Sequence, residues 1–487
     1  MSIDLEHSQT STREDRLGAI TGYHGTIGEI VTGAGTRSLT SKERLFSQAS
    51  ACAAGCAHTY LGRIQDAVVI NHAAIGCSSD AIGGNVINQW GQWVRGWDRT
   101  NVRFVSTNMT EQDTVFGATG KLKETIREVW RRYHPEAIFI TSSCASGIIG
   151  DDILGVCEDL KEEIPIPLAP VFCEGFKTKV WASGFDAALH AILKWIVQPP
   201  RPGIKSNKVN LVNFQASARL EVIRLFDRFG LEPVFVVPYS RVEELRRMSE
   251  AVATLTVCGT LGGYLGNGLE EHYGVPYVRT LQPHGIEGFS AWLRSLGTVV
   301  GKPEVAEEVI AEEIAKYAAE IELLRIELKG TTAVVGMGPS FSHNYVRVLQ
   351  ELGVEVIWGA SWHFDQNYDN GIPPESSRRL AEENETFPVS VTDQQNFELL
   401  NLLNRLKPDL YVSRHPGSSV WATKMGIASV MVADEFASFG LKGLVDFGNI
   451  LTDKLRNRGL ARRLASRIQL PYSHWWMKQD AFAFMEE

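Results

Sequence analysis

Long apolar runs are missing from this 487-residue chain: no stretch of 18 residues escapes a glycine or a charge, so no membrane-spanning helix is expected. The opening MSIDLEHSQTSTREDR has no apolar core, which argues against a secretory signal there. Basic residues fall short of acidic ones, 48 Lys+Arg against 57 Asp+Glu for a net charge of −9, and that argues against a broad nucleic-acid surface. Cysteine is sparse and odd in number, seven in all, so the chain is not a secreted disulfide framework. No C-x-x-C pair occurs: Cys52 and Cys56 are separated by three residues, and Thr59 stands where a three-cysteine motif would need another thiol. No G-x-x-x-x-G-K-[ST] loop occurs either, because Gly120-Lys121 is followed by Leu122, so the chain does not drive ATP hydrolysis by that route. A soluble, cytoplasmic protein is expected, with reduced thiols that are open to metals.

At ~150 residues per domain the length suggests three domains, and 44% hydrophobic with 22% charged residues is an ordinary globular composition. Residues 1–40 are rich in Ser, Thr and Gly and read as an N-terminal arm. Short Val- and Ile-rich runs then recur: AVVINH (67–72), VRFVST (102–107), AIFITSS (137–143), LAPVFC (168–173), VNLVNF (209–214), VFVVP (234–238), LTVCG (255–259) and VPYVRT (275–280). TAVVGMG (332–338), VEVIWGA (354–360), FPVSVTD (387–393), LYVSR (410–414) and ASVMVAD (428–434) come after them. They are continuous rather than alternating, the pattern of strands buried on both faces of a parallel sheet. TGKLKETIREVWRRYH and SRVEELRRMSEAV carry helical spacing between them. The fold class is therefore α/β, with three Rossmann-like doubly wound parallel-sheet domains over 41–203, 204–328 and 329–487. The Pro-rich QPPRPGIKSNK (198–208) and the charged helix at 303–329 mark the breaks. Ligands of such folds sit at the carboxyl ends of the strands.

Cysteines fall at those ends. Cys77 follows AVVINHAAIG, Cys144 follows AIFITSS, Cys173 ends LAPVFC and Cys258 follows ATLTV. Cys77 and Cys144 stand in small, flexible sequence, IGCSSD and SSCASG, where backbone can approach an inorganic cluster. Thiolates are the natural ligands of iron–sulfur clusters. Cys157 and Cys173 read as small hydrophobes.

These cysteines stand in an ordered series of motifs: CAAGC, INHAAIGC, VRFVSTNMTEQDTVFGATGKL, TSSCASGIIGDDI, VFCEGFK, TVCGTLGGYL, EEHYGVPY, GVEVIWGASWHFDQNYD and RLKPDLYVSRH with KMGI. With them the chain resembles the α-type subunit of nitrogenase component 1 from about residue 45 to 460. The resemblance implies that Cys52, Cys77 and Cys144 are the α-side ligands of an [8Fe-7S] P-cluster shared with a β-type subunit in an α2β2 heterotetramer. It implies that Cys258 anchors an [8Fe-9S-C]-type active-site cluster, and that a separate ATP-dependent [4Fe-4S] reductase delivers electrons. Cys56 has no counterpart among the ligands.

Departures from nitrogenase narrow the expectation. The position of nitrogenase's cofactor histidine is Ala433 here, followed by Asp434 and Glu435; Asp434 or His415 is left as the alternative second ligand. A glutamine and a histidine of the nitrogenase pocket are matched by Trp181 and Phe185, large apolar surfaces in place of hydrogen-bonding groups. The loop GMGPSFSH, with Gly336, Gly338 and His343, carries no basic residue over 336–342. His343 is expected to restore part of that charge, homocitrate to be absent, and the heterometal is left open. Candidate proton carriers are His72, His363 and His415; Asp151 and Asp152 are expected to cap or charge a helix start. The pattern resembles the α-type subunits of methylthio-alkane reductases, which cleave volatile thioethers to methanethiol and a hydrocarbon. The alternatives are a nitrogenase cofactor-assembly scaffold, a dinitrogenase-type subunit, a tetrapyrrole reductase of the same superfamily, and a nucleotide-dependent α/β enzyme using GMGPSF.

Overall fold

The computed structural model describes residues 19–48, 52–79, 81–94, 96–101, 103–178, 180–204, 206–213, 218–237, 239–366, 372–392, 395–432 and 438–485. The described strands are β1 (Tyr23–Thr26), β2 (Ala67–His72), β3 (Phe104–Ser106), β4 (Ala137–Ser142), β5 (Leu168–Val171), β6 (Lys208–Val212), β7 (Glu232–Val236), β8 (Ala253–Thr256), β9 (Thr332–Met337), β10 (Glu355–Ser361), β11 (Pro388–Val391), β12 (Leu410–Ser413) and β13 (Ala428–Met431). They form three sheets, ordered β3-β2-β4-β5, β7-β6-β8 and β1-β11-β10-β9-β12-β13. Every pairing is parallel except β1 with β11. The chain divides into two compact units, Ala51–Val278 with the first two sheets and Gly18–Ser50 plus Arg279–Glu487 with the third.

In the first unit, β2 and β4 are buried along their whole length. Successive strand side chains point to opposite faces, and both faces are covered. Val69, Phe139 and Ala169 pack with Ala57 and Ala188 of the helices Ala53–Leu61 and Ser183–Ala191. Val68, Ile70, Ile138 and Ile140 pack on the other side with Leu122 and Ile126 of Thr119–Tyr133 and Val156 of Ile153–Leu160. That is why these runs are apolar throughout. Gly184 lets the two helices of the first face touch: a Cβ there would lie 2.8 Å from Cys56 Cβ. Cys56 is thus packing material at a helix contact.

The second unit takes its edge strand from the start of the chain. β1 runs antiparallel along β11, with Tyr23 opposite Val391 and Thr26 opposite Pro388. Arg44 grips Glu398 through Nε at 2.5 Å and Nη2 at 3.1 Å and also donates to the carbonyl of Thr21. Burial pushes the Glu398 carboxyl up to about 7 against the pull of Arg44. Residues 19–40, expected to be an arm, therefore hold a sheet strand and the helix Ile27–Gly35. YHGT has no Val or Ile to announce it; partner pairing makes it a strand.

Two other expectations differ from the structure. VPYVRT is not a strand: Pro276 has no N–H to donate, so the segment keeps only a bridge between Tyr277 and Thr254. SRVEELRRMSEAV breaks into the helix Val242–Arg246 and a tight turn at Met248–Glu250.

Candidate metal-cluster sites

Three cysteines meet at the carboxyl end of the first sheet. Cys77 lies in the tight turn Ile75–Ser78 that succeeds β2. Cys144 opens the helix Cys144–Ile149 after the adjacent β4, and Ser143 caps that helix through a reciprocal bond with Ser146. Cys52 precedes the helix Ala53–Leu61. The turn Cys173–Phe176 closes against them, pinned by the Cys173 N–H donating to Ser142 Oγ at 3.0 Å. At its centre Gly175 has no room for a side chain: a Cβ would lie 2.5 Å from Cys52 Sγ and 3.7 Å from Cys144 Sγ. Cys77 shares this setting, since burial first, and then Cys144 and Cys52, raise its thiol above the ordinary range.

This cradle is open. Cys52 and Cys77 are exposed and Cys144 half-buried. Ile75 (65% exposed) and Ile148 (73%) stand on the same turn and helix as Cys77 and Cys144, and Phe176 projects from the Gly175 turn. Among the described residues no three His, Cys, Asp or Glu converge on an ion-sized point. Thiols brought together from three separate segments, with a glycine letting the 173–176 backbone approach two of them, suit a polynuclear cluster rather than a single ion.

Cys258 is separate and enclosed. It stands after β8 of the other sheet, 3% exposed, directly before the helix Gly259–Tyr273. Its N–H donates to Thr256 Oγ1 at 3.1 Å, and that hydroxyl donates back to its carbonyl at 2.9 Å. Tyr264 of this helix bonds His190 Nδ1 at 2.7 Å, which ties it to the helix Ser183–Ala191. Trp181 and Phe185 sit at the start of that second helix, edge to face with centroids 5.5 Å apart, and Phe185 meets Tyr60 likewise at 5.0 Å. Trp181 Nε1 is buried with no hydrogen-bond partner among the described residues, an indole N–H left for something else to satisfy.

The second unit gathers the remaining candidates at the carboxyl ends of three neighbouring strands. Gly336 and Gly338 stand within and after β9, with Gly338 capping the helix Pro339–Glu351; His363 comes after β10 and His415 after β12. His343 is buried, its Nδ1 2.6 Å from Ser377 Oγ, and burial lowers it to about 3. It is therefore neutral and does not restore the charge expected of it. His363 Nε2 lies 3.8 Å from Asp365 Oδ2, and His415, lowered by burial, packs edge-on to Trp362 at 5.6 Å. Asp434 lies outside the described residues. The charge missed in the sequence is Arg414, at the end of LYVSR, whose guanidinium lies over Phe341 at 4.2 Å. Its position directly before His415 at a strand end was the available signal.

Residues 52–454 match the family described as nitrogenase component 1 type oxidoreductase. The chain is 29% identical to the nitrogenase molybdenum-iron protein alpha chain of Methanosarcina barkeri over 450 residues, covering 81% of this chain and 83% of that one. It is 30% identical to the corresponding alpha chain of Clostridium pasteurianum, with 72% and 67% covered. It is also 30% identical to the iron-molybdenum cofactor biosynthesis protein NifE of Methanosarcina barkeri, with 90% and 92% covered. In structure it is similar to "Nitrogenase Cp1 at pH 5", with a TM-score of 0.70 and 24% identity over 90% of this chain and 94% of that one, a likeness of fold.

Proposed function

Because the chain belongs to the nitrogenase component 1 type oxidoreductases, we propose that it is the α-type subunit of a nitrogenase-like reductase that cleaves volatile thioethers. Cys52, Cys77 and Cys144 would hold half of an [8Fe-7S] P-cluster, with a β-type subunit completing it in an α2β2 assembly. Cys258 would hold an [8Fe-9S-C]-type active-site cluster. Bound there, such clusters would pass on low-potential electrons received from a separate ATP-dependent [4Fe-4S] reductase. The observation that supports the placement of the two clusters is the contrast between the cradle's thiols, Cys52 and Cys77 exposed and Cys144 half-buried, and the enclosed Cys258 after β8.

A thioether R–S–CH3 takes two electrons and two protons to give R–H and methanethiol. Trp181 and Phe185 offer apolar ring surface, which favours an uncharged thioether and excludes water. His415, held neutral by burial, can take up and pass a proton at a ring nitrogen; His363 is a second carrier. The absence of basic residues over 336–342 supports a cofactor without homocitrate, whereas Arg414 at the neighbouring strand end is a charge that a carboxylate ligand would use. Organic-acid and metal analysis therefore belongs in the same experiment.

That experiment is anaerobic purification with the β-type partner, followed by gas chromatography of headspace products from dimethyl sulfide and longer methyl thioethers with reductase and ATP. Methanethiol and the matching hydrocarbon are expected; iron-loaded complex without either product would sink the reading. A scaffold role is the second reading, favoured by the match to NifE over 90% of the chain. It predicts a cluster that leaves on mixing with an acceptor apoprotein.

A further inference from the structure

His72 and Asp151 form a buried pair that no ligand role uses. His72 ends β2, five residues before Cys77, and its ring is fully buried. Nε2 lies 2.9 Å from Asp151 Oδ2, and Nδ1 lies 3.2 Å from Thr107 Oγ1. Asp151 stands just past the helix Cys144–Ile149 and also accepts the Ala118 N–H at 3.1 and 3.2 Å. The neighbouring Asp152 takes the helix-capping role, accepting the Gly155 N–H at 2.8 Å. At the other end of the Cys144 helix, Ser143 Oγ donates to the His72 carbonyl at 2.8 Å.

With its proton on Nε2 the imidazole donates to Asp151 Oδ2 and accepts at Nδ1 from Thr107 Oγ1–H. Thr107 Oγ1 in turn accepts the Ala73 N–H at 3.2 Å. The imidazole therefore joins Asp151, just past the Cys144 helix, to Thr107 at the head of the 107–118 segment that carries the exposed Val115 and Phe116, while the His72 carbonyl holds Ser143 at the other end of that helix and the chain runs on from His72 into the Cys77 turn. The two cysteine-bearing segments are a short turn and a six-residue helix, each with a local anchor of its own, Asn71 to Ser78 Oγ and Ser143 to Ser146, and His72 is the residue that relates one to the other.

We propose that His72, held between Asp151 and Thr107, is the positioning residue that sets the Cys77 turn against the Cys144 helix and so fixes the spacing of the thiols in the cradle. This rests on the reading of those thiols as ligands of an interface cluster. Geometry held by a directed bond chain controls cluster properties through ligand orientation, as outer hydrogen-bond partners do at other metal sites.

The test uses the anaerobically co-purified complex with iron analysis, electron paramagnetic resonance and a redox titration of the interface cluster. His72→Leu removes donor and acceptor; it should change the line shape of the oxidised interface cluster and shift its midpoint potential, with the signal of the Cys258-held cluster unchanged. His72→Gln keeps one donor and one acceptor and should return both readouts toward wild type. Identical spectra and potentials in His72→Leu and wild type overturn the proposal, as does a Gln variant no closer to wild type than Leu. Should His72→Leu give no soluble complex, Thr107→Val decides: a smaller shift in the same readouts supports the role and none overturns it. Wild-type complex without an interface cluster would overturn the ligand reading itself, a result distinguishable from a normal cluster that ignores His72.

Discussion

Cys144 and Cys258 occupy the same topological place, each after a parallel strand and at the start of a helix, yet Cys144 is half-exposed and Cys258 almost wholly enclosed. The difference lies in the helix that each one opens. After β4 comes a six-residue helix whose outer side chain, Ile148, faces solvent. After β8 comes a 15-residue helix whose glycines let it sink into the unit: a Cβ on Gly266 would lie 2.5 Å from the ring of Tyr277. In the proposed reading one strand end is the site shared with another chain and the other the site kept within this one. The depth to which the next helix packs decides which.

The strongest way to break this comparison is Cys258→Ala. It should abolish thioether turnover and remove the enclosed cluster's iron, with the cradle's signals intact; iron and resonance spectra lost together at both sites would contradict the division. Gly175→Ala attacks the other side. Its methyl must displace Cys52 Sγ, at about 1–3 kcal/mol of local strain, and most of the cradle iron should go with the Cys258 iron retained by elemental analysis. Ile148→Glu tests whether the open site is meant to be covered. It should weaken association with the β-type chain about tenfold, or ~1.4 kcal/mol, by sedimentation, and unchanged association would leave that face unexplained. The mildest effect is chemical. With the Cys77 thiol raised by burial and its two neighbours, less of it is thiolate at pH 8, so iodoacetamide should label it in iron-free chain more slowly than a free peptide thiol. The gap should close as pH rises; equal rates at pH 8 would mean that the thiols are not mutually close in solution.

Much of the fold was legible because both faces of β2, β4 and β9 are buried, so burial writes itself into sequence as unbroken Val and Ile. The strand-end rule likewise pointed to Cys77, Cys144 and Cys258. What escaped depends on distant partners. β1 is a strand only because β11 is beside it, and Gly175 matters only because Cys52, far back in the chain, comes to rest against it. Asp151 and Asp152 look equivalent in IIGDDI; only the fold sends one to His72 and the other to cap a helix. His343 looked like a spare charge, and its burial makes it neutral.

The strand borrowed from the start of the chain also imposes a timetable. Arg44 and Glu398 are 354 residues apart in sequence, and at ribosomal speed that gap takes on the order of half a minute to synthesise. Throughout that interval residues 19–48 have left the ribosome without the sheet edge they belong to, while the whole cysteine-bearing unit emerges behind them. The last sheet can close only when the chain is nearly complete. A nascent chain of this protein therefore carries an unpaired strand through most of its birth, a window in which a chaperone has something definite to hold.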